Sequence, residues 1–402
     1  MKSSRGDTSI KYLSLLIYPW VSLFYSLRSL NTRSTFFVIF VFSVLFGLAF
    51  TPDLNSKLDS ARYLEYFLLN SDLTLAEYYR DLVSYFNFEE GRKDFFMHTM
   101  TFLVSSFTHN YHFLFATFAA VFSLFFLKSF KYFTFNSAFD NKNALCLMLA
   151  LMFALSNPIF NINGVRFWTA SWFAIYLLFK IVIENKKSYI LLGLLLPVIH
   201  ASFWIFFFFI FIYYLVRNNK ILIVSFFVSF VISGFMITFV KDLSQILPGT
   251  LSRLIEIYTS EDYMRYRNEL TENVNWYISL LNTLKTIYPN ILVFFIIRSR
   301  NKTSNPIFHK ILALTLIIAI FSNLTISIPS LGNRFQMLLY PFISLLWLLN
   351  INSLRRFKYL IFCFPIAWIV DIRLMVEWTI DLIDPYFYIS PTPYFIYHII
   401  TI

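Results

Sequence analysis

The chain has 402 residues, 58% apolar and only 14% charged, with 51 phenylalanines and a net charge of +11. A soluble domain carries about 25% charged residues, and one of this length has too little interior to hide such an apolar excess. With only 8 glycines, glycine-rich fibrous and disordered classes are excluded too, which leaves an all-α, polytopic integral membrane protein.

The bilayer stands in for a single large core, so residues 1–402 read as one membrane domain. Spans are sought in stretches free of Asp, Glu, Lys and Arg, since crossing takes roughly 20 residues. Residues 12–27, with Pro19 and several serines, read as a first span or an interfacial helix. No small-residue cleavage site follows, so this is not read as a signal peptide. Next come 34–52, 95–127, 143–165, 167–179, 188–216 and 221–240, then 311–333, 335–354 and 359–370. Residues 275–297 join them with Lys285 inside the apolar run, giving about 10–12 transmembrane segments. Cys146 and Cys363 both fall in apolar runs and are expected to be core thiols.

Loop charges orient these segments. Six short loops hold seventeen basic residues against only Asp140 and Glu184. Loops 53–94 and 241–274 and the tail 371–402 hold 19 of the 22 acidic residues. The positive-inside rule places these three acidic regions outside. It also assigns the basic excess to cytoplasmic loops rather than to nucleic acid. Run 188–216 lies between two cytoplasmic loops, so it predicts a bent hairpin broken near Pro197–His200. Run 95–127 crosses once and is too long for one span, which predicts a break near Thr108–His109.

An ionisable residue within a span is expensive and is a functional candidate by default. Arg166 follows Pro158, Asn161, Asn163 and Gly164. This order predicts a helix end, a cap from either asparagine, and a close approach at glycine. A guanidinium in the first turn beside free N–H groups suits a phosphate or diphosphate; an arginine snorkelling to headgroups is the other reading. His200, at the tip of the hairpin, suits general-base work, or is a hydrogen-bonded core residue beside Ser202. Arg334, preceded by Gly332 and Asn333, again begins a helix at the outer side. The topology thus brings Arg166, His200 and Arg334 to one side, with Lys285 deeper. In loop 53–94, Asp59 and Arg62 share a helix face beside Tyr63, and aromatic residues alternate with carboxylates. That composition fits sugars, or equally an amphipathic helix lying on the bilayer. Loop 241–274, with Tyr258, Glu261, Asp262, Tyr263 and Tyr266, has the same character and reads as a lid. No nucleotide loop or metal-ligand spacing appears, so neither cofactor nor metal is expected.

Several short pieces in order resemble the EpsG family of bacterial polysaccharide polymerases, related to the Wzy O-antigen polymerases. They are Tyr18-Pro19, Phe46-Gly-Leu-Ala-Phe50, Asp59-x-x-Arg62-Tyr63, Asp94-Phe-Phe, Phe107-Thr-His-Asn110, Asn161-Ile-Asn-Gly-Val-Arg166-Phe-Trp168, Ile199-His-Ala-Ser202 and Asn333-Arg-Phe335. Ala201 stands where the family commonly has serine, with Ser202 next. The resemblance implies a metal-independent glycosyltransferase acting on polyprenyl-diphosphate-linked oligosaccharide units at the outer face of the bacterial inner membrane, in exopolysaccharide, capsule or O-antigen synthesis. It implies that Arg166 and Arg334 hold the departing diphosphate and that His200 deprotonates the acceptor. Asp59, Arg62, Tyr63 and Asp94 would hold sugars, with Asn161, Asn163, Lys285 and Asn333 as further substrate contacts. Implied partners are membrane lipids, a flippase and a chain-length regulator. A lipid-linked oligosaccharide flippase or transporter, and an O-antigen ligase or lipid-sugar glycosyltransferase, are the rival readings.

Overall fold

Helices begin where the sequence supplies a cap or a proline. In the computed structural model, which describes residues 5–56, 58–87, 89, 94–216, 218–236, 238, 242, 245, 260, 265, 275–328 and 331–401, Pro19 separates α1 (Arg5–Ile17) from α2 (Pro19–Ser26). Thr32 caps α3 (Arg33–Leu48) by accepting from Thr35 N at 3.3 Å. The first acidic loop forms α4 (Asp59–Leu69) and α5 (Leu75–Phe86), the latter started by a Thr74/Glu77 capping box. Then α6 (Phe96–Ser105) ends before α7 (His112–Thr134), which puts the break of run 95–127 at the expected place.

Asn143 caps α8 (Ala144–Leu155), and α9 (Val165–Val182) follows a 3-10 turn. Run 188–216 is likewise broken into α10 (Tyr189–Leu192), α11 (Leu195–Ile199) and α12 (Ile205–Leu215). His200 sits at the break in extended backbone, φ −156° and ψ 119°. Beyond α13 (Asn219–Ile232) come α14 (Trp276–Ser299), α15 (Pro306–Leu324), α16 (Leu331–Met337) and α17 (Leu339–Leu349). The chain ends with α18 (Ile351–Leu354), α19 (Lys358–Phe362), α20 (Phe364–Trp378), α21 (Tyr386–Ile389) and α22 (Thr392–Thr401).

Among the described residues, four helical stretches are long and apolar enough to cross a membrane: α7, Ala144–Val182, Trp276–Lys302 and α15. The pair Leu331–Leu349 and Ile351–Phe362, bent by 97°, makes a fifth if it is one span. Arg33–Leu48, Phe96–Ser105, Tyr189–Ile199, Ala201–Leu215 and Asn219–Phe235 are shorter apolar helices. The apolar runs read from the sequence thus divide between full-length helices and shorter, broken ones. The protein is an all-α, multi-pass membrane protein. Among the described residues there is no strand, only an antiparallel bridge between Phe50 and Ile383.

Helix α7 packs between α3 and α9. A Cβ on Gly47 would lie 2.4 Å from the Phe115 carbonyl oxygen, so only glycine lets α3 approach α7 this closely. The C-terminal segment returns to the end of α3. Thr51 N donates to Leu382 O and Asp384 N to Ala49 O, both at 2.8 Å. Asp371, read as the start of a tail, instead lies inside α20 and pairs with Lys285 of α14. A helix survives its charge because the lysine neutralises it. Cys146 is buried, but Cys363 is exposed and is therefore not the core thiol expected from its apolar surroundings. The residues expected to form a lid, Tyr258, Glu261, Asp262, Tyr263 and Tyr266, lie outside the described residues.

Candidate functional site

Pro158 follows the end of α8, and the chain makes the 3-10 turn Ile159–Gly164 before α9 begins. Asn161, at φ −105° and ψ 50°, kinks that turn. Neither asparagine caps α9, contrary to expectation: the N-cap is Gly164. Trp168 folds back over the helix start, and a Cβ on Gly164 would lie 2.6 Å from its Nε1. Asn163 turns the other way. Its Nδ2 donates to Trp378 O at 2.7 Å, tying the turn to the end of α20.

Arg166 projects from the first turn of α9. Its Nη1 donates to both Asp94 oxygens, at 3.1 and 2.9 Å, and its Nε to the Tyr63 hydroxyl at 3.1 Å. The guanidinium carbon also lies 5.1 Å from the Tyr63 ring centre. Tyr63 donates onward to Asn163 O at 3.3 Å. Burial pushes the Tyr63 phenol up to about 12 against the opposing pull of Arg166, so it stays protonated for that bond. Of the motif Asp59-x-x-Arg62-Tyr63, it is Tyr63 that reaches Arg166. Arg62 is exposed and pairs with Asp59 at 3.3 Å along the helix face, the spacing expected of that pair.

The first acidic loop also reaches the His200 turn. Phe95 N donates to Val198 O at 2.9 Å, setting the residue after Asp94 against the residue two before His200. The His200 ring meets the Phe167 ring edge-on, with centres 5.2 Å apart. Its Nδ1 accepts from Ser202 N at 3.3 Å and lies 2.8 Å from Ser202 Oγ. A backbone N–H only donates, so Nδ1 carries a lone pair and the neutral ring holds its proton on Nε2.

Arg334 lies one turn into α16, its guanidinium carbon 5.3 Å from the Phe167 ring centre. Phe167, adjacent to Arg166, therefore touches both Arg334 and His200. Phe203 and Phe335 pack beside it, with ring centres 5.2 and 5.7 Å away. Among the described residues no carboxylate pairs with Arg334. A Cβ on Gly332 would lie 2.4 Å from Ile326 Cα, so glycine permits the tight entry into α16. Asn333 is exposed. Lys285 does not join the group: its ammonium is held by Asp371. Asp94, expected among the sugar contacts, pairs with Arg166 72 residues away in the chain, a pairing the sequence does not announce, and Phe167, an apolar residue in an apolar run, meets both Arg334 and His200. Among the described residues no cluster of His, Cys, Asp or Glu is placed to hold a metal ion.

The EpsG family model matches residues 34–388, nearly the whole chain and every residue of this group. The chain belongs to the EpsG family. EpsG proteins are Wzy-like polysaccharide polymerases, and membership places this chain among glycosyltransferase-like polymerases set in the membrane. No curated protein and no solved structure matches it.

Proposed function

We propose that the protein elongates a polysaccharide at the outer face of the bacterial inner membrane. It moves the growing glycan from a polyprenyl diphosphate to the next lipid-linked repeat unit. The observation that carries this is the meeting of Arg334 and His200 on one aromatic ring, Phe167, beside the docked acidic loop. A cation that no carboxylate pairs with among the described residues suits a departing diphosphate, and an imidazole next to it suits the acceptor's proton.

The acceptor hydroxyl oxygen bonds to the anomeric carbon, the bond from that carbon to the diphosphate breaks, and the proton passes to His200. Negative charge grows on the leaving oxygen, so Arg334 contributes more in the transition state than before it. Arg166 is partly neutralised by Asp94, yet its Nη2 edge remains to orient the same group. Asp94 and Tyr63 fix that edge rather than meeting sugars themselves. The outward rim of α4, with Asp59 and Arg62, is left for glycan hydroxyls.

Purified protein in bilayer discs, given lipid-linked single repeat units without nucleotide, should build a ladder of polymer. His200→Ala should leave at most a faint one, since a general base contributes about 10²–10⁴-fold. In cells the variant should accumulate single lipid-linked units on the outer leaflet. Accumulation on the inner leaflet would identify a flippase, and full-length polymer stranded on its carrier would identify a ligase. Either result overturns the polymerase reading.

A further inference from the structure

We infer that Ser202 is the residue that touches the acceptor hydroxyl, and that His200 takes the proton through it. The inference rests on the polymerase reading above and names the path that reading leaves open. His200 occupies the N-cap of the 3-10 turn Ala201–Trp204, where its Nδ1 accepts the Ser202 N–H at 3.3 Å. That fixed donor leaves the ring proton on Nε2, and a nitrogen that already bears hydrogen accepts none. The basic nitrogen is Nδ1. It faces Ser202, with Oγ only 2.8 Å away.

A hydroxyl is suited to this place because it donates one hydrogen and accepts with two lone pairs. Ser202 Oγ–H points to Nδ1 while its lone pairs remain for an incoming hydroxyl. Ser202 is only half-buried, so a substrate hydroxyl can reach it. In the transfer step the acceptor's proton moves to Ser202 Oγ as the serine's own proton moves to Nδ1. The acceptor oxygen then bonds the anomeric carbon, and the electron pair of the breaking carbon–oxygen bond leaves with the diphosphate. His200 is left as imidazolium, with Nδ1–H now opposed to the Ser202 N–H. That opposition favours return of the proton through Ser202 to water, which restores the starting tautomer. Ser202 is thus the catalytic contact and His200 its proton store.

The test uses the full chain in bilayer discs under single-turnover conditions with lipid-linked repeat units. Ser202→Ala should slow transfer about 100-fold with the donor KM unchanged, while Ser202→Thr, which keeps the hydroxyl, stays within about tenfold of wild type. The wild-type solvent isotope effect should show two protons in flight and that of Ser202→Ala one. Active wild type with Ser202→Ala at the same rate, or equal losses in the alanine and threonine variants, overturns the relay alone. Wild type that transfers nothing overturns the polymerase reading and the relay with it. Nitrogen-15 spectra provide a readout independent of turnover: the resonance lost in His200→Gln should show a bare Nδ1 and a protonated Nε2. A protonated Nδ1 in the neutral ring refutes the geometry.

Discussion

Removing one partner of the Arg166–Asp94 pair should harm the protein more, per residue lost, than removing both. The two side chains are 27% and 7% exposed, so solvent does not screen them as it screens a surface pair worth under about 1 kcal/mol. Breaking a buried pair from one side costs about 3–5 kcal/mol because the survivor loses the opposite charge that compensated it. Arg166 keeps the Tyr63 hydroxyl and ring in Asp94→Ala, which sets that variant at the lower end, about 3 kcal/mol. Arg166→Ala leaves Asp94 without its two bonds from Nη1 and should cost about the same. The double variant strands neither charge and should fall short of the sum by about 2 kcal/mol. Asp94→Asn keeps an acceptor and should lose only about 1–2 kcal/mol. Equilibrium unfolding in mixed micelles measures all four, with tryptophan fluorescence as the signal, Trp168 being two residues from Arg166. A double variant whose cost equals the sum within about 0.5 kcal/mol would show the two groups uncoupled and refute the reasoning.

Three further outcomes are expected. Arg334→Lys keeps the charge but loses the planar fork, so polymer formation should drop nearly as far as in Arg334→Ala; normal polymer at normal membrane levels would make Arg334 a mere anchor. Reporter fusions at Glu77 should read outside and at Lys187 and Lys302 inside, and a cytoplasmic signal at Glu77 would invert the topology and remove the outer site. The backbone and hydroxyl of Thr74 hold the Glu77 carboxyl below its ordinary value of 4.5. The capping box should therefore support α5 fully above that value and lose its effect as pH falls through the lower folded value. Amide exchange at the start of α5 should rise over that interval in wild type, and Thr74→Ala, which removes the hydroxyl but keeps the backbone N–H bond to Glu77, should shrink the pH dependence without abolishing it.

The fold class and the broken helices were legible because composition and proline placement act locally. Pro197 and the polar pair His200 and Ser202 interrupt an apolar run, and the helix breaks there. Pro158 and Gly164 likewise bound a turn that ends one helix and opens another. Long-range pairing was not legible. Asp94 reads as a loop carboxylate, and only the docking of Phe95 on Val198 carries it to Arg166. The asparagines were misjudged as caps because the Trp168 indole, packed over Gly164, decides how the chain enters α9. Lys285 looked free to join the site because its partner, Asp371, lies 86 residues away, at the point of its helix where the sequence was read as passing from span to tail. Phe167 stood out only as part of the Asn161–Trp168 motif, since by itself an aromatic ring amid 51 phenylalanines is indistinguishable from core.

The Lys285–Asp371 pair bears on how the chain is built into the membrane. Each charge alone raises the cost of placing its helix mid-bilayer by about 3 kcal/mol. α14 is synthesised first and is apolar enough to cross with its lysine, whereas α20, carrying Asp371, Arg373 and Glu377, is not among the helices that qualify. The two helices therefore carry cancelling charges where they meet, which lowers the cost of placing them side by side.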